Sequence, residues 1–561
     1  REHRRTGHDR QFGRPVAVFV TDFGETGVSV TERGRLVTAD GASPAFVPAG
    51  STYLVVGSGA RTPGGPVAVP FADRADARAF AAAHGGRVRP WDRALGRLNA
   101  TRPLTRERFQ SAVEARSRWA DDAVAATRPL RDRPVSVTVG ADAPTLRAAV
   151  AAAPPNTTVR LPPGDYRVTN LTVVKPVTLS GADPGATHLH GDGEGTVLRL
   201  TADRTAVTGL SIDGVGSVGS PARRPNGTVG WSEQIELAYG RGDAALRLDG
   251  TDGALVESVH VDTPASGVVT REAAGAVVRE VVVDGTADRS GFMGVVAMYA
   301  PVVVEDSRFV GGRDGVYTHR AHGVVVRDSR MRDARYGVHL MYTSGALVRG
   351  NAFRNETAGV IVMSRPTGTL VVDNVVTDSR TGLSTVGSAS YYAGNVLVDN
   401  EQGLRLSGTG SLYTHNTVVG NDVGVRGSSL LPTNHVTRND IVGNARPVSS
   451  RFGALQVWTV DGAGNYWGPL PGVDRDGDGH AARPYRPTGP VDSRLHARAG
   501  AWTVAVSPAV ELTRGLRGAV PGLRATGVVD VAPRTEPVEP AALNRARENL
   551  SRPDAGAEVT P

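Results

Sequence analysis

Cysteine is absent from the 561 residues of this chain, and lysine occurs once, at Lys175. Without cysteine the protein has no disulfide, no thiolate zinc site, no iron–sulfur cluster and no cysteine nucleophile. Histidine, methionine and the carboxylates are therefore the side chains left for metal binding. Aromatic residues make up 5% of the chain, but 40% of it is hydrophobic, which is enough for a globular core.

Charge and hydropathy exclude two further classes of protein. The 63 basic and 56 acidic residues are interspersed and form no block of one sign, so we expect no nucleic-acid partner. No apolar run of about 18 residues occurs, and we expect no membrane-spanning segment. The chain begins at Arg1 without an apolar signal region, which we interpret as a mature or truncated product.

Four zones follow one another along the chain. Residues 1–104 contain strand-like runs and a helical stretch with a Gly-Gly stop, which indicates a small α/β domain. Residues 105–138 are expected to form a helical linker. Residues 139–470 carry a repeat. Residues 471–561 are expected to form an Asp-rich loop and an extended tail.

A glycine followed by a short apolar strand recurs through the third zone every 21 to 23 residues. A polar series with the same spacing runs in phase with it. Such repeats, with stacked asparagines, predict a parallel β-helix whose coils stack about 4.8 Å apart. The glycines are Gly294, Gly315, Gly337, Gly359, Gly382, Gly403 and Gly424, and the polar series is Ser307, Ser329, Asn351, Asn374, Asn395, Asn416 and Asn439.

The start of the repeat favours the same fold. Residues 143–153 predict a short amphipathic helix, which covers the open edge of the first coil and prevents it from templating aggregation. Pectin-lyase-like β-helices look similar at their entrance. The expected fold class is therefore mainly β, a right-handed parallel β-helix of the pectin-lyase-like type with a small N-terminal α/β domain. A β-sandwich is disfavoured, because its strands do not repeat in phase.

Strand periodicity sorts the residues after each repeat glycine onto two faces. Positions one and three are apolar or small and are expected to point into the coil. Positions two and four are then expected to point outward, to the solvent side. Three of the five methionines share position four with a histidine, and a second histidine lies at position two. The candidate metal ligands are Met298, His319, His339, Met341 and Met363.

Thioether sulfur combined with imidazole favours Cu(I) over Zn, Mg or Ca, because soft ligands select soft ions. Ligands on neighbouring coils, about 4.8 Å apart, are able to share one ion through bonds of about 2 to 2.3 Å. Thioether sites exchange their metal easily, so we expect transient binding for delivery. Two alternatives stay open: the methionines fill gaps beneath a docked domain or partner subunit, or their alignment is accidental.

The segment Asp474–Gly479 places acids at positions one, three and five and a glycine at position six, like the opening of a calcium loop. Position twelve is Tyr485 instead of glutamate, which excludes a complete EF-hand. A loose Ca²⁺ site at Asp474, Asp476 and Asp478 and an Asx-rich turn both fit this pattern.

The strands that carry the methionines also carry a family resemblance, which extends over residues 140–515. The matching segments are Gly311–Tyr317, Arg335–Tyr342, Gly359–Met363, and Gly464–Trp467 followed by Asp474–Pro484. Together they resemble the NosD family of nitrous oxide reductase maturation proteins. The resemblance implies an exported β-helix, periplasmic or at the cell surface, that works with an ABC transporter permease and ATPase complex. It also implies that the protein supplies the copper centres of the reductase.

The front of the chain resembles the NosL copper-chaperone family at Pro70–Gly86, with weaker support from Val18–Asp22. The lipidated cysteine and the copper-binding Cys-x-Met stretch of that family are absent here. Residues 62–65 read Thr-Pro-Gly-Gly where the family tends to have Thr-Pro-Met-Gly. We therefore expect a truncated, metal-silent domain that serves docking, and we assign it no copper ligand.

Three hypotheses of function follow. The first is a non-enzymatic, extracytoplasmic copper-delivery protein without catalytic residues, whose partners are the transporter and nitrous oxide reductase or a copper chaperone. The second is a β-helix polysaccharide lyase or hydrolase, which needs outward acids or a base with bound Ca²⁺. The outward positions hold Arg405 and Arg426 but no acid, and Glu401 and Asp422 stack in an adjoining turn. The third is a metal-free docking scaffold.

Overall fold

The computed structural model divides the chain into two compact units, with the boundary at residue 104. It describes residues 16–32, 34–39, 41–62, 65–98, 104–217, 235, 239–287, 289, 291–428, 433–450, 455–469, 474–488, 492, 504, 507–519 and 527–550. Of these, no helix combines the length and the apolarity needed to cross a bilayer.

The N-terminal unit is a small α/β fold, as the sequence predicts. An antiparallel sheet of three strands, with β5 (Tyr53–Val56) between β8 (Val69–Phe71) and β9 (Arg87–Pro90), packs against α1 (Arg74–His84). The Asp73 side chain caps the N-terminus of α1. The core includes Val55, Phe71 and Phe80. The elements are β1 Phe19–Asp22, β2 Ser29–Val30, β3 Leu36–Val37, β4 Ala45–Pro48, a 3₁₀ turn Ala49–Ser51, β5 Tyr53–Val56, β6 Arg61–Thr62, β7 Gly65–Pro66, β8 Val69–Phe71, α1 Arg74–His84, β9 Arg87–Pro90 and α2 Trp91–Leu98.

The second unit consists mainly of short strands. Its helices are α3 Arg106–Thr127, a 3₁₀ turn Arg128–Asp132, α4 Leu146–Ala152, α5 Pro508–Ala519 and α6 Pro540–Leu550. Its strands up to residue 298 are β10 Val135–Thr138, β11 Thr158–Arg160, β12 Gly164–Arg167, β13 Leu171–Val173, β14 Thr178–Ser180, β15 Thr187–His190, β16 Leu198–Leu200, β17 Ala206–Asp213, β18 Ala244–Asp249, β19 Leu255–Asp262, β20 Ser266–Arg271, β21 Val277–Arg279, β22 Val282–Asp284 and β23 Met293–Met298. The later strands are β24 Val303–Glu305, β25 Arg308–Val310, β26 Asp314–His319, β27 Val325–Arg327, β28 Arg330–Arg332, β29 Tyr336–Met341, β30 Leu347–Arg349, β31 Ala352–Arg354, β32 Ala358–Met363, β33 Leu370–Val372, β34 Val375–Thr377, β35 Thr381–Thr385, β36 Tyr391–Ala393, β37 Val396–Val398, β38 Gln402–Leu406, β39 Leu412–Thr414, β40 Thr417–Val419, β41 Val423–Gly427, β42 His435–Val436, β43 Asp440–Val442, β44 Arg446–Ser450, β45 Gln456–Val457 and β46 Val528–Val529.

These strands form a parallel β-helix, which confirms the predicted fold class. One sheet contains 12 strands, from β13 to β44, and every strand pairs in parallel with the strand of the next coil. A second, 23-stranded sheet forms the rest of the wall. Because the coils stack in register, residues 21 to 23 positions apart in the sequence become neighbours, as Val316 and Val338 do. We call each strand of the 12-stranded sheet a rung.

Each repeat glycine lies close to a core side chain of its own coil and to the backbone of the next coil. A Cβ atom at Gly294 would lie 2.6 Å from the carbonyl oxygen of Gly315 and would clash with the ring of Phe309. A Cβ atom at Gly337 would lie 2.7 Å from the oxygen of Gly359. Close packing therefore requires glycine at these rung starts.

A ladder of buried asparagine side chains holds the coils together, as the sequence predicts. Asn351, Asn374, Asn395, Asn416 and Asn439 are at most 2% exposed. From Asn374 onward, each side-chain oxygen accepts both the backbone N–H and the amide N–H of the preceding asparagine, at distances of 2.8 to 3.2 Å. The ladder thus satisfies turn backbone groups that a solenoid would otherwise leave buried and unpaired.

Both ends of the β-helix are closed. Leu146, Ala149 and Val150 of α4 enter the core and cover the first coils. At the other end, Trp458 and Trp467 stack with ring centroids 6.2 Å apart. Buried Asp530 accepts hydrogen bonds from the Trp467 indole at 2.9 Å and from the backbone of Asn465 at 2.7 Å. These caps shield the apolar interior and the strand edges from water.

The stretch 105–138 contains α3, which lies along the outer surface of the 23-stranded sheet. Phe109 stacks on Tyr391 with ring centroids 5.0 Å apart and parallel planes. Leu130 and a row of outward strand residues complete this second core. The helix therefore buries an apolar stripe of the wall, and within the described residues it belongs to the β-helical unit.

The asparagine ladder yields a stability prediction. Asn395→Ala should lower the free energy of unfolding by about 3 kcal/mol, because several buried backbone and amide groups lose their partners. Ser428→Ala, at an exposed position, is the control and should change it by less than about 0.5 kcal/mol. Urea unfolding followed by far-UV circular dichroism measures both. Equal midpoints for the two variants would show that the ladder is not a stabilising element.

Candidate metal centre

The five candidate ligands lie on four consecutive rungs. The strands pair in register, so that Met298 faces His319, His319 faces Met341, and Met341 faces Met363. His339 lies on the same strand as Met341, two residues earlier, and therefore on the same face of the sheet. We call these five residues the Met–His lane.

The side chains of the lane point away from the interior of the coil. On later rungs, Arg405 and Arg426 at position two are exposed. Thr385 at position three instead hydrogen-bonds the hydroxyl of fully buried Tyr413, with 2.8 Å between the oxygens. Since side chains alternate along a strand, positions two and four point outward.

Outward does not mean solvent-exposed here, which corrects the expectation that the lane lies on the solvent side. Met298 and His319 are fully buried, while His339 is 4% and Met341 7% exposed. Met363 alone of the five keeps partial exposure. The lane is therefore accessible from the Met363 end.

Aromatic residues cover the lane. Tyr239, which lies in the segment between β17 and β18 outside the regular repeat, packs against Tyr317 with ring centroids 5.1 Å apart. Tyr299 and Tyr342 flank the His319 ring edge-on, at centroid distances of 5.9 and 5.6 Å. Their backbones have φ values of 67° and 53°, which are unfavourable for bulky residues. The turns after β23 and β29 thus each place a tyrosine beside the His319 imidazole.

His339 has the most defined surroundings in the lane. Its Nδ1 atom lies 2.9 Å from Oδ2 of Asp314, which is fully buried and also accepts two hydrogen bonds from Arg335 at 2.8 and 2.9 Å. Its Nε2 atom lies 3.1 Å from the sulfur of Met363. The carboxylate therefore fixes the ring so that Nε2 faces the thioether.

This contact brings two electron-pair donors together. A neutral His339 that donates Nδ1–H to Asp314 presents the lone pair of Nε2 to a sulfur that also offers lone pairs. Such a contact is favourable when a metal cation is bound by both atoms. The pair is thus arranged to take up a soft metal ion.

The remaining lane residues do not converge on that contact. The Met341 sulfur accepts a hydrogen bond from the Ser364 hydroxyl at 3.0 Å. Met298 and His319 lie on the two rungs that precede Met341, and neighbouring rungs are about 4.8 Å apart. The geometry therefore offers one imidazole–thioether pair at the open end and a row of further soft donors behind it.

Sequence reasoning missed Asp314 and Arg335, although both are needed to orient His339. Asp314 directly precedes a repeat glycine and lies 25 residues before His339, slightly more than one coil. The position before the glycine carries unrelated residues in other coils, such as Tyr336 and Ala358, so the repeat itself gives no signal.

The aspartates of the predicted calcium loop lie close together. The ligand oxygens of Asp474, Asp476 and Asp478 all lie within 4.8 Å of one another. The Asp474 carboxylate accepts backbone N–H groups from Gly477 and Gly479, each at 2.8 Å, and the Gly479 contact in particular lowers the pKa of Asp474. The loop has the hydrogen bonds of an Asx turn, and Ca²⁺ binding there stays a prediction.

A second polar face lies on the first coils and was also missed. His190 bridges two carboxylates, with Nδ1 2.8 Å from Asp213 and Nε2 3.1 Å from Asp165. On the same face, His260 Nε2 lies 2.9 Å from Asp284. These coils precede the regular glycine repeat, so the periodicity that revealed the Met–His lane does not extend to them.

The hydrogen bonds to Asp165 and Asp213 raise the pKa of His190 above 6.5. A raised pKa in the folded state stabilises the fold fully below pH 6.5, and this contribution disappears as the pH rises through the folded-state pKa. His190→Gln should therefore lower the melting temperature more at pH 5.5 than at pH 8.5. These pH values lie about one unit below and about two units above the ordinary histidine pKa of about 6.5.

The control for this prediction is His188→Gln. His188 lies on the same strand, but its Nδ1 atom is 2.7 Å from the Ser211 hydroxyl instead of a carboxylate. Melting temperatures of wild type and of both variants are measured by differential scanning calorimetry at the two pH values. A pH-independent difference between wild type and His190→Gln would contradict the bridging role.

Fold and site together define a class of protein: a parallel β-helix with a covered lane of thioether and imidazole donors on its outer face, joined to a small α/β domain. Residues 295–472 match the family described as "Periplasmic copper-binding protein (NosD)", and residues 5–94 match the NosL family. The chain thus carries a NosD-family region and a NosL-family region, as the resemblance indicated.

Two curated relatives share the NosD name. The "Probable ABC transporter binding protein NosD" of Stutzerimonas stutzeri is 35% identical over 100 residues, which are 18% of this chain and 23% of the relative. The protein of the same name from Pseudomonas aeruginosa matches with the same identity and coverage. The chain therefore matches less than a quarter of the length of these relatives.

Solved structures with a similar course of the chain are polysaccharide-degrading enzymes. An exopolygalacturonase from Thermotoga maritima is 13% identical with a TM-score of 0.40, over 59% of this chain and 96% of the enzyme. A polygalacturonase from Erwinia carotovora is 14% identical with a TM-score of 0.39, over 57% of this chain and 97% of the enzyme.

Proposed function

We propose that this protein is an extracytoplasmic accessory protein that binds copper as Cu(I) and passes it on in the maturation of nitrous oxide reductase. The observation that carries the proposal is the contact between His339 Nε2 and Met363 Sδ at 3.1 Å, with Nδ1 held by Asp314. The description of the matching family, a periplasmic copper-binding protein, supports both the cargo and the location.

The chemistry of the lane suits this ion. Thioethers and an imidazole are ligands that Cu(I) accepts and that Mg²⁺ and Ca²⁺ avoid. The orientation of His339 by a carboxylate is the arrangement that metal-binding histidines commonly have. Burial of Met298 and His319 keeps water away from the inner donors, which favours a weakly hydrated, soft ion over a strongly hydrated one.

Delivery requires that the ion also leaves. Met363 is partly exposed, so we propose that copper enters and leaves there and that the ion moves between donors about 4.8 Å apart. The partners we propose are an ABC transporter permease and ATPase complex, in keeping with the relatives' names, and the reductase or a copper chaperone. The NosL-type region is proposed to serve docking.

We propose a non-enzymatic role. On the described rungs from β20 to β41, Arg405 and Arg426 occupy outward positions two, and no acid occupies positions two or four. Asp249, which aligns with position four on β18, is ion-paired with Arg199 and Arg247. Asp314 is fully buried and bonded to both Arg335 and His339, which leaves it unsuited to contact a polysaccharide. The arrangement therefore favours metal transfer over glycosidic bond cleavage.

The test is an anaerobic Cu(I) titration of the full chain against a chromophoric Cu(I) chelator. A triple Met→Leu variant at residues 298, 341 and 363 should bind Cu(I) about 100-fold more weakly, because the sulfur donors are gone. Leucine conserves side-chain volume, so the fold should lose less than about 1.5 kcal/mol per site.

Met331→Leu is the matched control. Met331 is 1% exposed and lies on β28 of the other sheet, outside the lane. Its substitution should leave the Cu(I) affinity unchanged. Wild-type affinity in the triple variant would refute the metal claim and leave the metal-free docking scaffold.

Asp314 is a positioning residue in this proposal. Asp314→Asn should weaken Cu(I) binding about 10- to 100-fold, because His339 loses the charged partner that orients its ring. X-ray absorption of the copper-loaded variant should show a smaller nitrogen contribution with the sulfur contribution retained. A melting curve checks the fold, and an unchanged nitrogen contribution would show that Asp314 only stabilises the coil.

A further inference from the structure

Two arginines stand on neighbouring rungs beyond the Met–His lane. Arg405 of β38 pairs in register with Arg426 of β41, and both side chains are exposed on the outward face. Neither guanidinium has a hydrogen bond or an ion pair with any residue that the structure describes. We call these two residues the arginine pair.

Several other arginines of this β-helix are matched by an acid on the adjacent coil, as Arg327 is by Glu305 at 2.6 Å and Arg335 is by Asp314 at 2.8 Å. The arginine pair lacks such a match among the described residues. Two like charges about 4.8 Å apart in water repel each other by roughly 1 kcal/mol. The pair therefore creates a local positive field that an external anion would relieve.

Hydroxyl groups surround the pair. Ser384 precedes Arg405 in the same column, and Ser449 follows Arg426. Two residues along the strand, the hydroxyls of Ser407 and Ser428 lie 2.6 Å apart. Guanidinium groups flanked by hydroxyls offer several donors to carboxylate oxygens, and the guanidinium fork fits a carboxylate with two parallel hydrogen bonds.

The pair lies on the open side of the lane. The column that holds His339 continues through Ile361 and Ser384 to Arg405, which is three rungs away, about 14 Å. In this column His339 is 4% and Ser384 5% exposed, whereas Arg405 and Arg426 are exposed. A molecule that contacts Met363 and extends over the next two rungs would also cover Arg405.

We infer that Arg405 and Arg426 form a docking site for an acidic segment of a partner protein, one that carries at least two neighbouring carboxylates. The role of this docking in copper exchange rests on the proposed function, but the binding itself does not. Two cations on a flat sheet match a short acidic stretch and are too few for the extended phosphate contacts of a nucleic acid.

The test measures binding of a fluorescein-labelled deca-glutamate peptide to the copper-free full chain by fluorescence anisotropy. R405S/R426S should weaken binding about tenfold, because two charge-assisted contacts are lost. Serine already occupies Ser384 and Ser449 in the same column, so the fold should tolerate it. Added salt should reduce wild-type binding more than binding by the variant.

R308S/R330S is the matched control. Arg308 and Arg330 are also exposed register partners, but they lie on the 23-stranded sheet. This variant should bind the peptide like wild type, and R405E/R426E should instead bind deca-lysine. Equal weakening in both serine variants, or no binding by wild type, would overturn the proposal.

Three further outcomes separate this proposal from others. A single-stranded oligonucleotide that displaces the peptide at lower concentration, in a manner that depends on the arginine pair, would overturn the acidic-protein partner. Loss of Cu(I) binding in the Met→Leu variant with peptide binding intact supports independent sites. Peptide binding without any Cu(I) affinity in wild type would refute the proposed function and leave the docking site standing.

Discussion

The register of stacked coils is the constraint on which the rest of this structure depends. Each rung pairs with the next over the same positions. Residues 21 to 23 positions apart in the sequence therefore lie about 4.8 Å apart in space. The asparagine ladder fixes this register from inside the turns, since each amide bonds the next coil at 2.8 to 3.0 Å. A row of chemically similar side chains on the outer face then follows from the same stacking that forms the core.

Burial changes the chemistry of that row. His339 and Asp314 are both almost inaccessible, and Arg335 supplies the opposite charge that makes a buried carboxylate tolerable. Because the carboxylate holds Nδ1, the ring cannot turn away from Met363, and its Nε2 atom stays directed at sulfur. The covered lane thus combines a rigid imidazole with adaptable thioethers, a combination suited to an ion that must bind and leave.

The sequence was sufficient for the fold and for part of the site, and the reasons differ by residue. Gly294 and Gly337 mark the rung starts because no Cβ atom fits there, so their spacing predicts the coil and the alignment of Met298, His319 and Met341. The tyrosine cover of the lane could not be predicted in this way, because Tyr239 comes from a segment outside the repeat. Periodicity also failed to indicate Asp314, because the residue before the repeat glycine is not chemically constant from coil to coil.

The Met–His lane is more accessible at its Met363 end than at its Met298 end. Met298 and His319 are closed off, Met363 is partly open, and the rungs that follow expose Arg405 and Arg426. In the copper transfer that we propose, an ion at the inner donors has to shed its water, whereas one at Met363 is able to keep a ligand from outside, so exchange would be favoured at that end. Positive charge beyond that end repels a free cation but attracts an acidic carrier that surrounds it. The proposed role therefore implies transfer from a bound partner rather than capture of the bare ion from solution.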